Sequence, residues 1–236
     1  LASSPNKYQP GARYTKSNAM IDLLGLLIEK VSGKRFTEYM QAEVFSKLRM
    51  SSARFINNKI VLRQVSHNES TTQLFSSFSP AYSLSLTFLD CIKLYSAMLS
   101  NGDKNIILDQ RLMQNMFIPS ITDQLNKQGF ETGAGWMLTE PDLRYLGKTA
   151  WNYGLFLDHK TVVMLLLDKK IGILISTRNN NRIIATELKN LASKLLRAYA
   201  ETELNIKEPP FVPPVPVSLD GIIPPAYGVY ASDHGA

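Results

Sequence analysis

Three short segments of the chain hold residue types suited to carbonyl chemistry. The first is Pro10-Gly11-Ala12-Arg13-Tyr14-Thr15-Lys16-Ser17-Asn18, a turn that feeds directly into an apolar helix. Lys16 and Asn18 then face a cleft beside the helix start, although Ser17 and Asn18 also suit plain helix caps. The second is Gly147-Lys148-Thr149-Ala150-Trp151, at the end of an expected strand. Lys148 supplies a fixed positive charge and Thr149 a hydroxyl donor. The small Ala150 lets a ligand approach the backbone, where exposed N–H groups hold an oxyanion. The bland alternative is a solvent-facing lysine on an edge strand. The third is Ser4-Pro5-Asn6-Lys7, a literal Ser-x-x-Lys. In serine acyl-enzymes the Ser opens a helix and the Lys, one turn later, takes its proton. Ser3 to Gly11 is polar, holds two prolines and has no apolar stripe to bury a helix, so this match reads as chance.

Other chemistries find little support. His67, His159 and His234 show no His-x-x-x-His spacing, and Cys91 is alone, which argues against a zinc site and against an internal disulfide. The sequence has no Gly-x-Ser-x-Gly elbow, phosphate loop or dinucleotide-binding glycine pattern, and no cofactor is implied. The 26 basic and 20 acidic residues leave a net charge of +6, spread along the chain without a block of like charge. Nucleic-acid binding is therefore not expected. Apolar stretches such as Val162 to Leu167 are far too short to span a membrane.

The elements that must position these residues are legible in part. Residues 17–32 read as a helix with Met20, Leu23, Leu24, Leu27, Ile28 and Val31 on a buried face, capped by Ser17 or Asn18 and ended by Gly33. A second helix covers 37–48, with Thr37 as N-cap. Residues 52–85 are irregular, with a strand near Lys59 to Val65. A third helix runs from Thr87 to about Leu99 behind a Thr87–Asp90 capping pattern, and a shorter one covers about 109–116. Strands are expected at 133–139, 143–150, 153–158, 161–168 and 171–177, with a hairpin turn at Asp168-Lys169-Lys170. A long helix follows at 183–203, with Ile183, Ile184, Leu188, Leu191, Leu195 and Ala198 mainly on one face. The result is an α/β fold of the α+β type, an antiparallel sheet flanked by helices. Residues 1–206 make the main domain. Residues 207–225, rich in proline, read as an extended linker, and 226–236 as the first strand of a further module. The opening at Leu1 and the close within a beginning strand suggest a piece of a longer protein.

Together the segments resemble the serine β-lactamase-related hydrolases, the penicillin-binding-protein-like group that includes class C β-lactamases, D-amino-acid peptidases and esterases. The family's run of Pro-Gly, aromatic and Tyr-Ser-Asn, an apolar helix, a Glu-x-x-Ser/Thr-Gly stop and a Leu-Gly-Met turn has counterparts here. They are Pro10-Gly11, Tyr14, Lys16-Ser17-Asn18, Glu29 to Gly33 and Leu48-Arg49-Met50. Ser83 to Asp90 resembles the segment leading into a Thr-x-x-Asp helix. Gly133-Ala134-Gly135-Trp136 is similar to the strand before the third motif, and Gly147-Lys148-Thr149-Ala150 falls where the family has Lys-Thr-Gly or His-x-Gly. Ile171 to Asn179 resembles the penultimate strand. Coverage is about residues 8–203, and the tail is similar to the opening of a lipocalin-like β-barrel found in several relatives.

The resemblance implies a β-lactamase/transpeptidase-like fold, incomplete at the N-terminus, whose nucleophilic Ser and partner Lys lie before residue 1. It implies a small-molecule or peptide substrate and no cofactor, and it leaves compartment and oligomeric state open. It assigns Asn18 to orient substrate, Lys148 and Thr149 to a substrate carboxylate or the proton relay, and the Trp151 N–H to an oxyanion. Lys16 stands where the family has Tyr, and Ala150 where it has Gly, adding a methyl to the pocket wall. Packed near Lys148, Lys16 should have a lowered pKa. A neutral Lys16 accepts a proton and supports an active hydrolase. A charged one leaves a catalytically silent binding protein.

Overall fold

The structure, a computed structural model, describes residues 16–56, 61–62, 72–73, 80–100, 107–119, 131–138, 140–156, 159–178 and 185–210. Ser4 to Lys7, Pro10 to Tyr14, His67, His234, the proline-rich segment beyond 210 and the tail 226–236 lie outside them.

Helix α1 (Asn18–Ser32) starts and stops where the sequence says it should. Ser17 Oγ accepts the Met20 N–H at 3.4 Å, and Gly33, at φ 68°, closes the helix by donating its N–H to the Glu29 carbonyl at 2.9 Å. Glu29 then does a second job. Helix α2 (Phe36–Met40) begins one residue before Thr37, at an N-cap, Arg35, whose side chain makes no capping bond. The Glu29 carboxylate reaches across the turn and accepts the orphan Phe36 N–H at 2.8 Å instead. Helix α2 widens into a π-helical turn, Gln41–Phe45. Arg49 follows at φ 54°, in the left-handed region, which explains why glycine suits this turn.

Two short antiparallel pairs come next. Strand β1 (Arg54–Phe55) pairs with β4 (Leu84–Ser85), and β2 (Val61–Leu62) pairs with β3 (Thr72–Gln73). Helix α3 (Phe88–Leu99) is capped as expected, with Thr87 Oγ1 accepting the Asp90 N–H at 3.2 Å. Helix α4 (Gln110–Asn115) is capped by Asp109, which accepts the Leu112 N–H at 2.8 Å.

The main sheet is an antiparallel meander of β5 (Thr149–Phe156), β6 (His159–Leu166) and β7 (Ile171–Arg178), in that order. Its register runs from Thr149 opposite Leu166 to Phe156 opposite His159. Strand β6 alternates between two cores. Val162, Met164 and Leu166 face helix α5 (Ala185–Glu203), packing with Leu188, Ala192, Leu196 and Ala200. Val163 and Leu165 face the other way, against Met98 and Leu99 of α3, Met113 and Trp136. Covered on both faces, β6 reads as a continuous apolar run because neither side can be polar.

Several expectations need correcting. Of the segment 143–150 only Thr149 and Ala150 are strand. Pro141–Leu146 forms a 3-10 helix that buries Leu143 and Leu146, three residues apart as that geometry requires, and β5 follows as one strand through 149–156 rather than two. Residues 133–138 form no strand, and Met137 makes isolated bridges to Thr132 and to Trp151. On α5 the buried stripe is Leu188-Ala192-Leu196-Ala200, leaving Leu191 and Leu195 at 44% and 46% exposure. The small alanines let the helix lie close to the sheet.

The largest departure is α1. Its apolar side chains were expected to be buried, yet Leu24 is 53%, Leu27 55% and Val31 80% exposed, and only Gly25 is buried.

Candidate active site

The start of α1 meets the outer edge of β5. Lys16, just before the N-cap, donates from Nζ to the Tyr153 carbonyl at 2.7 Å and lies 3.9 Å from the centre of the Tyr153 ring. The carbonyl and the ring face both favour the ammonium. Partial burial opposes them and holds the Lys16 pKa below its ordinary value. The direction matches the expectation, but the cause differs. Lys16 loses water against Tyr153, and no neighbouring lysine contributes.

Asn18, the first residue of α1, donates from Nδ2 to the Tyr82 hydroxyl. One turn on, Asp22 Oδ1 accepts the Ala81 N–H at 3.0 Å. A further turn on, Gly25 lies so close to Pro80 that a Cβ there would come within 2.5 Å of the proline Cγ. Asn18, Asp22 and Gly25 thus form an i, i+4, i+7 stripe that fastens the turn 80–82 along α1. Tyr82 and Tyr153 stand, with Phe75, Phe78, Trp136 and Trp151, among the aromatics that the sequence offers as pocket lining, with core packing the safer reading, and they are the partners of Asn18 and Lys16.

Lys148 immediately precedes β5. It is five residues from Tyr153, about 16 Å along an extended strand. Its N–H donates to Asp168 Oδ2 at 2.8 Å, and Lys148 lines an open cavity of about 260 Å³ with Glu131, Leu138, Arg144 and Thr149. Glu140, 2% exposed, forms another wall, where its carboxylate meets Lys189 of α5 at 2.9 and 3.1 Å. Thr149 is buried, with its hydroxyl 3.5 Å from the Leu138 carbonyl.

The other two residues of that motif behave differently from expectation. Ala150 is fully buried in the α3-side core, so its methyl packs inside the molecule and not in a pocket wall. The Trp151 N–H is paired with the Met137 carbonyl at 2.8 Å, and the Met137 N–H returns to the Trp151 carbonyl at 3.0 Å. A strand neighbour therefore holds the backbone group expected to bind an oxyanion. Beyond Met137 the edge is closed by side chains, with Asn152 Oδ1 on the Tyr153 N–H at 2.7 Å and Lys16 on its carbonyl. The structure seats Lys16 on Tyr153, in the middle of β5, and Asn18 on Tyr82, and it leaves Lys148 and Thr149 at the start of the strand. Among the described residues no hydrogen bond or ion pair links Lys16 or Asn18 to Lys148 or Thr149.

Among the described residues no group of three or more His, Cys, Asp or Glu side chains is placed to hold a metal, and no helix is long and apolar enough to cross a membrane.

This arrangement of a helix start against the edge strand of an antiparallel sheet, with helices on both faces, accompanies a match of residues 1–193 to the β-lactamase family. The chain belongs to that family. No curated protein matches it. Solved structures share the fold. An octameric penicillin-binding protein homologue from Pyrococcus abyssi aligns with TM-score 0.62 at 20% identity, over 83% of this chain and 45% of its own. A D-stereospecific amidohydrolase from Streptomyces aligns with TM-score 0.63 at 14% identity, over 80% and 57%. A class C β-lactamase gives 0.61 at 14%, over 83% and 60%. The chain thus spans between 45% and 60% of the lengths of these proteins.

Proposed function

We propose that the chain supplies the substrate-facing wall of a serine hydrolase that cleaves a peptide, amide or ester through an acyl-enzyme, with its nucleophile outside residues 1–236. The carrying observation is the seat of Lys16 on the Tyr153 carbonyl, which fastens the start of α1 to the edge of β5. In this reading a serine oxygen attacks the substrate carbonyl, its proton passes to a neighbouring base, the leaving group departs, and water hydrolyses the ester that remains. Lys16 replaces the family's phenol as proton acceptor, and its partial burial favours the neutral amine such a role needs. Asn18 orients substrate after turning from Tyr82. Lys148 and Thr149 meet a substrate carboxylate at the cavity mouth. The Trp151 N–H serves the oxyanion once Met137 releases it. The fold neighbours include an amidohydrolase and a β-lactamase, which fits this class of reaction.

A second reading is a catalytically silent member that binds a ligand through the same face. The pairing of Trp151 with Met137 favours it, as does the proton of Lys16 already committed to a carbonyl and a ring. Labelling the complete polypeptide with a fluorophosphonate or penicillin probe separates the two. Covalent labelling of the wild type supports the hydrolase. Absent labelling that Lys16→Tyr restores supports the silent reading. No labelling of either contradicts the hydrolase. Residues 1–236 alone should show no hydrolysis, and turnover by them would refute the placement of the nucleophile.

A further inference from the structure

We infer that Asp168, on the β6–β7 turn, is a positioning residue that fixes where Lys148 enters the cavity, and that Gly147 is the steric condition for it. The backbone of Lys148 is held on both sides by one turn. Its N–H donates to Asp168 Oδ2 at 2.8 Å, and its carbonyl accepts the Leu167 N–H at 2.9 Å. The turn closes on itself, with the Lys169 N–H returning to the Leu166 carbonyl at 3.2 Å. The preceding residue makes room. Gly147 ends the 3-10 helix at φ 106° and ψ −157°, a conformation that side-chain-bearing residues rarely adopt. A Cβ there would stand 2.5 Å from Asp168 Oδ2 and 3.3 Å from its Cβ and Cγ. The carboxylate therefore reaches Lys148 only because residue 147 has no side chain. Asp168 does not line the cavity. It acts through the backbone, setting the point from which the Lys148 ammonium meets an anionic group of the ligand.

This inference rests on the reading above, in which Lys148 meets a substrate carboxylate, and two measurements on the complete polypeptide keep the two apart. The first needs no activity: hydrogen exchange at the Lys148 amide. Asp168→Ala should speed it about tenfold or more, the loss of one charge-assisted hydrogen bond, while Asp168→Asn, which keeps an acceptor oxygen, should stay near the wild type. Unchanged exchange in Asp168→Ala overturns the lock. The second compares a penicillin probe, which carries a carboxylate, with a fluorophosphonate probe, which does not. Asp168→Ala should raise the half-saturating penicillin concentration about tenfold and leave the fluorophosphonate rate within about twofold, with Asp168→Asn restoring most of the difference. Equal losses with both probes, or none with either while exchange is faster, overturn the positioning role and leave Asp168 a purely structural cap. If the wild type takes up neither probe, the hydrolase reading falls, and the exchange data alone decide whether Asp168 holds Lys148.

Discussion

Strand β6 and helix α1 are comparably rich in leucine, isoleucine, valine and methionine, and the structure treats them in opposite ways. In β6, Val162, Met164 and Leu165 have no exposed surface. In α1, Leu23, Leu26 and Leu27 stand 46%, 57% and 55% exposed. Apolar content tells which elements need cover, and topology decides whether they receive it. Strand β6 lies between α5 and α3. Helix α1 is held by its caps and by the stripe of Asn18, Asp22 and Gly25 along the turn 80–82. A helix of this length is marginal without such attachments.

That contrast is open to direct attack. The largest loss should come on the sheet side from Lys189→Ala, which leaves the buried Glu140 carboxylate unpaired and should cost about 3–5 kcal/mol in denaturant unfolding. Leu165→Ala, in the fully covered strand, should cost about 2–5 kcal/mol. A pH test probes the same core. Burial pushes the Tyr95 phenol up to about 12, and its ring packs edge-on against Trp136. The unfolded chain gives up this proton near pH 10 while the folded one keeps it, so stability falls as pH rises from about 10 to 12. Tyr95→Phe should remove up to about 2–3 kcal/mol of that fall. On the helical side, Arg49→Gly should stabilise the protein by about 1 kcal/mol, since Arg49 sits at φ 54° where glycine bears no penalty. Smallest of all, Leu24→Ala on exposed α1 should stay within about 0.5 kcal/mol. A loss of 2 kcal/mol or more there would mean that α1 is covered in solution, and the comparison would fail.

The sequence is most legible where a cap or an unbroken apolar run states the local answer. Ser17, Gly33, Thr87 and Asp109 mark the ends of three helices, and the runs around Asp168-Lys169-Lys170 mark the β6–β7 hairpin. It misleads where tertiary contact decides. Apolar residues at 143 and 146 suit a strand as well as a 3-10 turn, and Pro141 at the first helical position was the clue to the latter. The α5 stripe shifted because alanines alternate with leucines on the face toward the sheet, at Leu188, Ala192, Leu196 and Ala200. In the site, Lys16 and Lys148 were visible as motif positions. Their separation along β5 was not, because it depends on which strand residue the start of α1 touches. Tyr153 is that residue, and the sequence offers it only as one of several aromatics that either line a pocket or pack in a core.

The central claim is that the start of α1 and the edge of β5 form two walls of one ligand site. A photoreactive penicillin, cross-linked to the complete polypeptide and mapped by mass spectrometry, tests it most directly. The account predicts adducts in both the peptide holding Lys16 and Asn18 and the peptide spanning Lys148 to Tyr153. Adducts confined to other surfaces, such as the exposed side of α5, would contradict it.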